Sequence, residues 1–460
     1  MANFFKVTKQ NKATGQVLTV KVERLDHNGC GVAQHKKKPL FIPETLKDEV
    51  VEVRLIEQKN KFVKGKLLKV ITPNPERVQA KCLHFSVCGG CDIQHLNQEQ
   101  QLLFKQDKVT DLFARQGVSK QLPWQAAIKG VPWHYRRKAR IGVQFNKHGQ
   151  PIVGFREKGS SHLTPIKSCP VLVEPLSAIF MALKALIERL SVKQAIGHID
   201  VVWASLQGEL SSQGIVNIRQ LKKLNAHDVG LWRQFADEFN YAVFIDNGEA
   251  CIALTEYFTE KVEYSRNAPF SYSLNNSVTI GFGLKDFIQI NQGVNEEMVA
   301  QAMDWLDLDV NDYVLDLFCG LGNFSLAMAK QVKQVIGVEG VQSMVDKASN
   351  NAKQNDIKNC QFYQANINES WQSQPWFVAL NQQLPNKVLL DPARAGAEEA
   401  MPYIIKVNPS HILYVSCDPV TLARDSQVLL EHGYILSKIS IIDMFSQTKH
   451  VESMVLFNRA

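Results

Sequence analysis

Two short apolar runs near the C-terminal end constrain this chain more than anything else in it. One begins at Lys387 and reads K-V-L-L-D-P-A-R-A-G; the other begins at His411 and reads H-I-L-Y-V-S-C-D-P. Each is continuously apolar and closed by a turn containing proline, the pattern of a strand buried on both faces of a parallel sheet. Functional groups of open parallel sheets gather beyond the carboxyl ends of the strands, so Asp391 and Cys417 are expected to face one crevice.

A third such run, Y-V-L-D-L-F-C-G-L-G-N-F-S-L from Tyr313, opens into a tight turn at Gly320 and Gly322 and then a helix. Glycine there lets the backbone come close to a ligand. Ser325 occupies the place of the third glycine of a dinucleotide fingerprint, which argues against a nicotinamide cofactor. The following run, V-I-G-V-E, ends at Glu339, where a carboxylate can take both hydroxyls of a ribose. Asp316 is expected to support the glycine turn.

The 460 residues allow two to four domains. No apolar run is long enough to cross a bilayer and the first residues lack an apolar signal region, so a cytoplasmic protein with no membrane partner is expected, and a monomer. The net charge of +7 is unevenly placed: residues 1–70 carry fifteen Lys/Arg and seven Asp/Glu, more than the whole surplus. Such a local excess suits a polyanion such as RNA. In the same segment Leu18, Val20 and Val22 alternate with polar residues, as do Val51, Val53 and Leu55, and Leu40–Ile42 and Phe62–Ile71 add further strands; about five short strands imply a small barrel. Lys36, Lys37, Lys38, Lys61, Lys64 and Lys66 are its candidate phosphate contacts.

Cys82, Cys88 and Cys91 follow in C-L-H-F-S-V-C-G-G-C, with Cys169 in S-C-P as the candidate fourth ligand. Three clustered cysteines and one distant one suit an iron–sulfur centre better than zinc, which favours two separated C-x-x-C arms. Residues 98–116 carry Leu102, Val109, Leu112 and Phe113 on one helical stripe, stopped by Gly117. Trp133–Arg140, W-H-Y-R-R-K-A-R, interleaves aromatic and basic residues as in a strip that tracks a nucleic-acid strand. Residues 170–285 have the pattern of an α/β middle domain, helical over 176–191 and extended over 198–204 and 242–246.

These motifs carry several resemblances. G-x-G-V-A with K-P-L-F-I-P-E-T-L-K-D-E-V-V-E-V resembles the TRAM domain, an OB-like barrel of RNA-modifying enzymes. The glycine turn with its acidic strand end is similar to class I S-adenosylmethionine methyltransferases, and the whole chain is similar to bacterial RNA uracil-C5 methyltransferases. The fold this implies is α/β: a Rossmann-like class I methyltransferase domain (94–125 and 286–460), an N-terminal TRAM barrel (1–72) and a central α/β iron–sulfur domain (73–93 and 126–285). The resemblance also implies S-adenosyl-L-methionine contacts at Gln289, Phe318, Asn323, Glu339, Asn366 and Asp391, and a four-iron, four-sulfur (4Fe-4S) cluster on Cys82, Cys88, Cys91 and Cys169.

By the same resemblance Cys417, in S-C-D-P, is the nucleophile and Glu452, in H-V-E-S-M, the general base, with Asp391 and Arg394 orienting it. An isolated cysteine is more often inert; the flanking motif and Glu452 reverse that expectation. Many members of this family have proline where Ser446 stands, which bears on the stiffness of that loop. Barrel and cysteine cluster together point to 23S ribosomal RNA, with position 1939 as the family's target. The rival readings are a transfer-RNA methyltransferase, a radical iron–sulfur methylthiotransferase and a non-catalytic RNA-binding protein.

Overall fold

The computed structural model describes residues 15–206, 211–256, 270–275, 277–367, 369–372, 374–380 and 383–460. It divides into two compact units, one reaching Phe104 and including Gln447–Lys449, the other holding Lys105–Ser446 and His450–Ala460.

In the first unit, six strands among the described residues form one sheet: Val17–Lys21, Arg24–Leu25, Gly31–His35, Lys38–Ile42, Val50–Gln58 and Val63–Thr72. Alternation does what it predicts, turning Val51, Val53 and Leu55 inward and Arg54 outward. Val22, Ala33, Leu40, Ile42 and Val63 complete the core, each large aliphatic contributing about 1.5–3 kcal/mol by burial. The chain turns at Gly29 (φ +76°); Gly31 opens a strand, and a Cβ there would collide with Thr45 Oγ1 at 2.0 Å.

The expected iron–sulfur domain is not supported. Among the described residues no three His, Cys, Asp or Glu side chains are grouped so as to hold a metal ion, so Cys82, Cys88, Cys91 and Cys169 form no cluster site. The spacing of the three nearby cysteines permits convergence without requiring it. Their segment folds as successive turns in which the Gly90 amide donates to Cys88 Sγ at 3.4 Å and the Cys82 amide donates to Gln94 Oε1 at 3.1 Å. Cys169 lies in a loop closed on Ser177, whose hydroxyl donates to the Cys169 carbonyl at 2.8 Å.

The second unit contains two sheets. Among the described residues the middle sheet has nine strands, from Lys138–Phe145 to Thr279–Phe282, backed by helices Ile179–Arg189 and Ala226–Phe239. The Trp133–Arg140 strip enters its first strand and is only partly exposed. Tyr135 and Arg137 are 6% and 2% exposed, and the exposed Arg140 is paired with Asp200 at 2.8 Å.

The other sheet positions the site. Its strands are β1 (Tyr313–Leu317), β2 (Gln334–Glu339), β3 (Cys360–Gln364), β4 (Lys387–Leu390), β5 (His411–Ser416), β6 (Tyr434–Ile442) and β7 (Glu452–Arg459). They lie in the order 3-2-1-4-5-7-6, all parallel except β7. The apolar runs that opened the sequence are β4 and β5, with every residue of β4 buried. Helix α1 (Gln98–Arg115) ends before Gly117, which has φ +81°; α2 (Gln292–Leu306), α3 (Gln342–Gln354) and α4 (Pro419–Glu431) connect or flank the strands. The strand order reverses between β1 and β4, where open α/β sheets leave a crevice for a ligand.

Candidate active site

Five chain segments meet at the carboxyl ends of β1, β2, β4 and β5 and the start of β7. Leu317 pairs with Leu390 and Val338, and the Asp391 amide donates to the Leu317 carbonyl at 3.3 Å, so the glycine turn and Asp391 leave the sheet side by side. Ser416 pairs with Ser453 in the antiparallel register of β5 and β7. The next step along each strand toward this edge is Cys417 on one side and Glu452 on the other. Antiparallel pairing of β7 is what carries its first residue to the edge where the parallel strands end.

The turn after β1 is held in a strained shape. Phe318 has φ +65°, a conformation uncommon for a bulky side chain and concentrated at functional sites. Its amide and that of Cys319 both donate to the Val338 carbonyl, at 2.9 and 3.2 Å. Gly320 (φ +55°) and Gly322 (φ +89°) follow, and Ser325 donates its hydroxyl to the buried Asp316, the supporting role expected of that aspartate. A Cβ on Gly320 would meet nothing closer than Met344 at 4.0 Å, whereas one on Gly322 would press on Leu326 and Phe362 at 3.1 and 3.2 Å.

Glu339 accepts from the Gly320 and Val341 amides, both at 3.1 Å. A carboxylate has about four lone-pair directions, so capacity remains for two hydroxyls. Gln289 is 9% exposed and its Oε1 is buried without a hydrogen-bond partner among the described residues. Asn323 is committed within the protein: its Oδ1 accepts from Tyr272 at 2.9 Å and from Asn295 at 3.1 Å, and its amide donates back to Asn295. What Asn323 offers a ligand is therefore its backbone. Asn366 is exposed after β3 and donates to Glu369 at 2.9 Å.

The electrostatics of the catalytic candidates are unusual. Burial, then the charges of Glu452 and Asp391, pushes the Cys417 thiol up to about 11, against a smaller opposing effect of Arg394. Burial first and Asp391 second raise Glu452 to about 8, with Lys105 acting the other way. Burial raises Asp391 to about 7. Glu452 Oε2 accepts no hydrogen bond among the described residues. A buried carboxyl that ionises near neutral pH, beside a thiol, is an arrangement suited to proton transfer.

The loops are pinned from behind. Asp425 on α4 accepts from Tyr414 at 2.7 Å and from the Ala397 amide at 2.8 Å, fixing the D-P-A-R-A-G loop to the helix that follows Cys417. Ser446 donates to Asp443 at 2.5 Å and its carbonyl accepts from Tyr135 at 2.8 Å, so the loop before Glu452 is tied at the position where proline was the family expectation.

Two residues were missed in the sequence. Arg137 is buried, donates from Nε to the Gln289 carbonyl at 2.9 Å and lies 4.3 Å from the Tyr272 ring centroid, while Lys105 pairs with Asp443 at 2.6 Å, both side chains fully buried. For Lys105 there was a signal: it sits four residues before Val109 and eight before Phe113, a charge within the apolar stripe of α1. For Arg137, one basic residue among several, there was none.

The model of the tRNA (uracil-5-)-methyltransferase family matches residues 97–460, and that of the TRAM domain residues 11–68. The 23S rRNA (uracil(1939)-C(5))-methyltransferase RlmD of Colwellia psychrerythraea is 51% identical over 99% of both chains. The protein of the same name from Psychromonas ingrahamii is 44% identical over 99% of this chain and all of its own. Among solved structures, the Pyrococcus abyssi tRNA (uracil-54, C5)-methyltransferase in complex with S-adenosyl-L-homocysteine superposes with a TM-score of 0.69, covering 96% of this chain and 100% of that one at 21% identity.

Proposed function

The chain belongs to the tRNA (uracil-5-)-methyltransferase family, and on that premise we propose that it methylates carbon 5 of a uracil in 23S ribosomal RNA, with position 1939 as the target. The observation that carries the reading is the meeting of Cys417, Glu452 and Asp391 at the edge where the glycine turn leaves β1.

The residues present fit S-adenosyl-L-methionine. Gln289 offers a buried, unpartnered Oε1, Gly320 leaves room for close approach, and Glu339 keeps acceptor capacity at a strand end. These three, with Phe318, the Asn323 backbone, Asn366 and Asp391, would hold it. When bound, it would supply an electrophilic methyl group beside the crevice, whose bond to the sulfonium sulfur breaks on transfer to leave S-adenosyl-L-homocysteine.

Carbon 5 of a uracil is too weak a nucleophile alone. Cys417, as thiolate, adds to carbon 6; the carbon 5–carbon 6 double bond opens and its electron pair becomes available at carbon 5 for the new carbon–methyl bond. Glu452 as carboxylate then removes the carbon 5 proton, the double bond re-forms and the carbon 6–sulfur bond breaks, returning Cys417. The high position of the Cys417 thiol means that its proton must pass to a nearby acceptor before attack; Asp391 is the acceptor at hand that leaves Glu452 free as the carboxylate, and it returns the proton to Cys417 after elimination. A base stacked in a helix hides both carbons, so the target uracil is unpaired or turned out, at a cost of a few kcal/mol. The basic barrel offsets that cost through backbone contacts.

The experiment is covalent trapping with cofactor on a 23S fragment carrying 5-fluorouracil at the target position, where the fluorine blocks the final elimination. A denaturation-stable adduct with the wild type and none with Cys417→Ala is the expected result. No adduct on the ribosomal fragment, with one on a transfer-RNA substrate instead, would overturn the choice of RNA.

A further inference from the structure

Lys105 is fully buried and spends two of its three donors on Asp443 Oδ1 at 2.6 Å and the Phe445 carbonyl at 3.1 Å. Asp443 directly follows Ile442, and Ile442 is the strand partner of Glu452 in the β6·β7 register. The ion pair therefore stands beside the residue read above as the general base. A buried ion pair is seldom the most stable filling for its space, since apolar side chains of similar volume serve as well or better.

Around Glu452, Asp391 after β4 opposes its charge, Cys417 after β5 is a neutral thiol, and Lys105 on α1, held by Asp443 after β6, acts the other way. Asp443 is engaged by Lys105 and by the Ser446 hydroxyl, which leaves the ammonium charge anchored at a fixed point.

We propose that Lys105 is a positioning residue for the proton-transfer step: held by Asp443, it keeps a fixed positive charge beside Glu452 so that the carboxylate stays ready to take the proton from carbon 5. The inference rests on the reading of Glu452 as the base. It separates the two halves of the reaction, because addition of Cys417 and arrival of the methyl group precede the step that Lys105 serves.

The test measures both halves, in single turnover, for wild type, Lys105→Met, Lys105→Arg and the double variant Lys105→Met/Asp443→Leu, which leaves no uncompensated buried charge should the single variant fail to fold. The 5-fluorouracil adduct reports addition and methylation; release of methylated RNA from an ordinary uracil substrate, followed against pH, reports proton removal. Lys105→Met and the double variant are expected to form adduct like the wild type. Their release should be about tenfold slower at neutral pH, with the ascending limb moved to higher pH, as a one-unit rise in the base would give. Lys105→Arg should restore release. Wild-type release and an unmoved limb in the double variant, or equal loss of adduct and release, would overturn the proposal. Glu452→Gln run alongside keeps the two ideas apart: wild-type release from that variant would remove the base assignment itself.

Discussion

Ser416 on β5 and Ser453 on β7 are register partners, and this pairing sets Cys417 and Glu452 at the same edge of adjacent antiparallel strands although thirty-five residues of chain separate them. Neither side chain would reach the other if β7 ran parallel, because its first residue would then lie at the opposite end of the sheet.

Substitution of the base should therefore stall the reaction late. Glu452→Gln is expected to accumulate the covalent enzyme–RNA complex on unmodified uracil and to release product at least about 100-fold more slowly, the usual scale of a general base. Gel mobility under denaturing conditions checks it; prompt release would refute it.

The same burial has a cost in stability that depends on pH. Glu452 and Asp391 have folded-state values of about 8 and about 7, above those of an unfolded chain, so the folded state favours their protonated forms. Their contribution is fully present below about pH 4 and is lost as pH rises through 7 to 8. Relative to the wild type, Glu452→Gln should gain thermal stability at pH 8.5 and little at pH 4.5. Paired melting curves at the two values decide it.

The two turn glycines should fail differently. Gly322→Ala meets Leu326 and Phe362 besides adopting an unfavourable φ, and is expected to lose stability by about 1–2 kcal/mol or more. Gly320→Ala has open space and should cost the fold only the strain of its positive φ, about 1 kcal/mol, while weakening S-adenosyl-L-methionine binding. Calorimetric titration beside denaturant unfolding separates the two losses.

On the barrel, Lys36 and Lys37 are exposed, whereas Lys38 donates to the Lys59 carbonyl and Lys64 is paired with Glu57. Replacing Lys36 and Lys37 together by Gln should lower RNA affinity and reduce the slope of log affinity against log salt by up to about two, with single-turnover methyl transfer at saturating RNA unchanged. Replacing Lys64 should do less.

Arg137→Met should loosen the cofactor side of the site rather than the RNA side, since its guanidinium carries the Gln289 carbonyl and lies beside the ring of Tyr272, which in turn holds Asn323. A rise in the S-adenosyl-L-methionine Kd with unchanged RNA affinity is the expected outcome.

Local chemistry alone was enough to announce the buried strands, the glycine turn and the acidic end of β2, because apolar continuity, φ > 0 and strand termination are properties of a few consecutive residues. The alternation around Val51, Val53 and Leu55 was legible in the same way, whereas the roles expected of Cys417 and Glu452 came from the family resemblance of their flanking motifs. Three things were not legible. Cysteine spacing at 82, 88 and 91 allowed a metal site that the described side chains do not form, since ligand convergence depends on how turns direct each thiol. The strip at Trp133–Arg140 looked like surface, yet Tyr135 and Arg137 are interior, because basic residues can be buried when distant carbonyls and rings receive them. And it took strand order and register, contacts between residues far apart in the chain, to bring Asp391, Cys417, Lys105 and Glu452 into one electrostatic neighbourhood; no short stretch of sequence encodes a distance between its own remote parts.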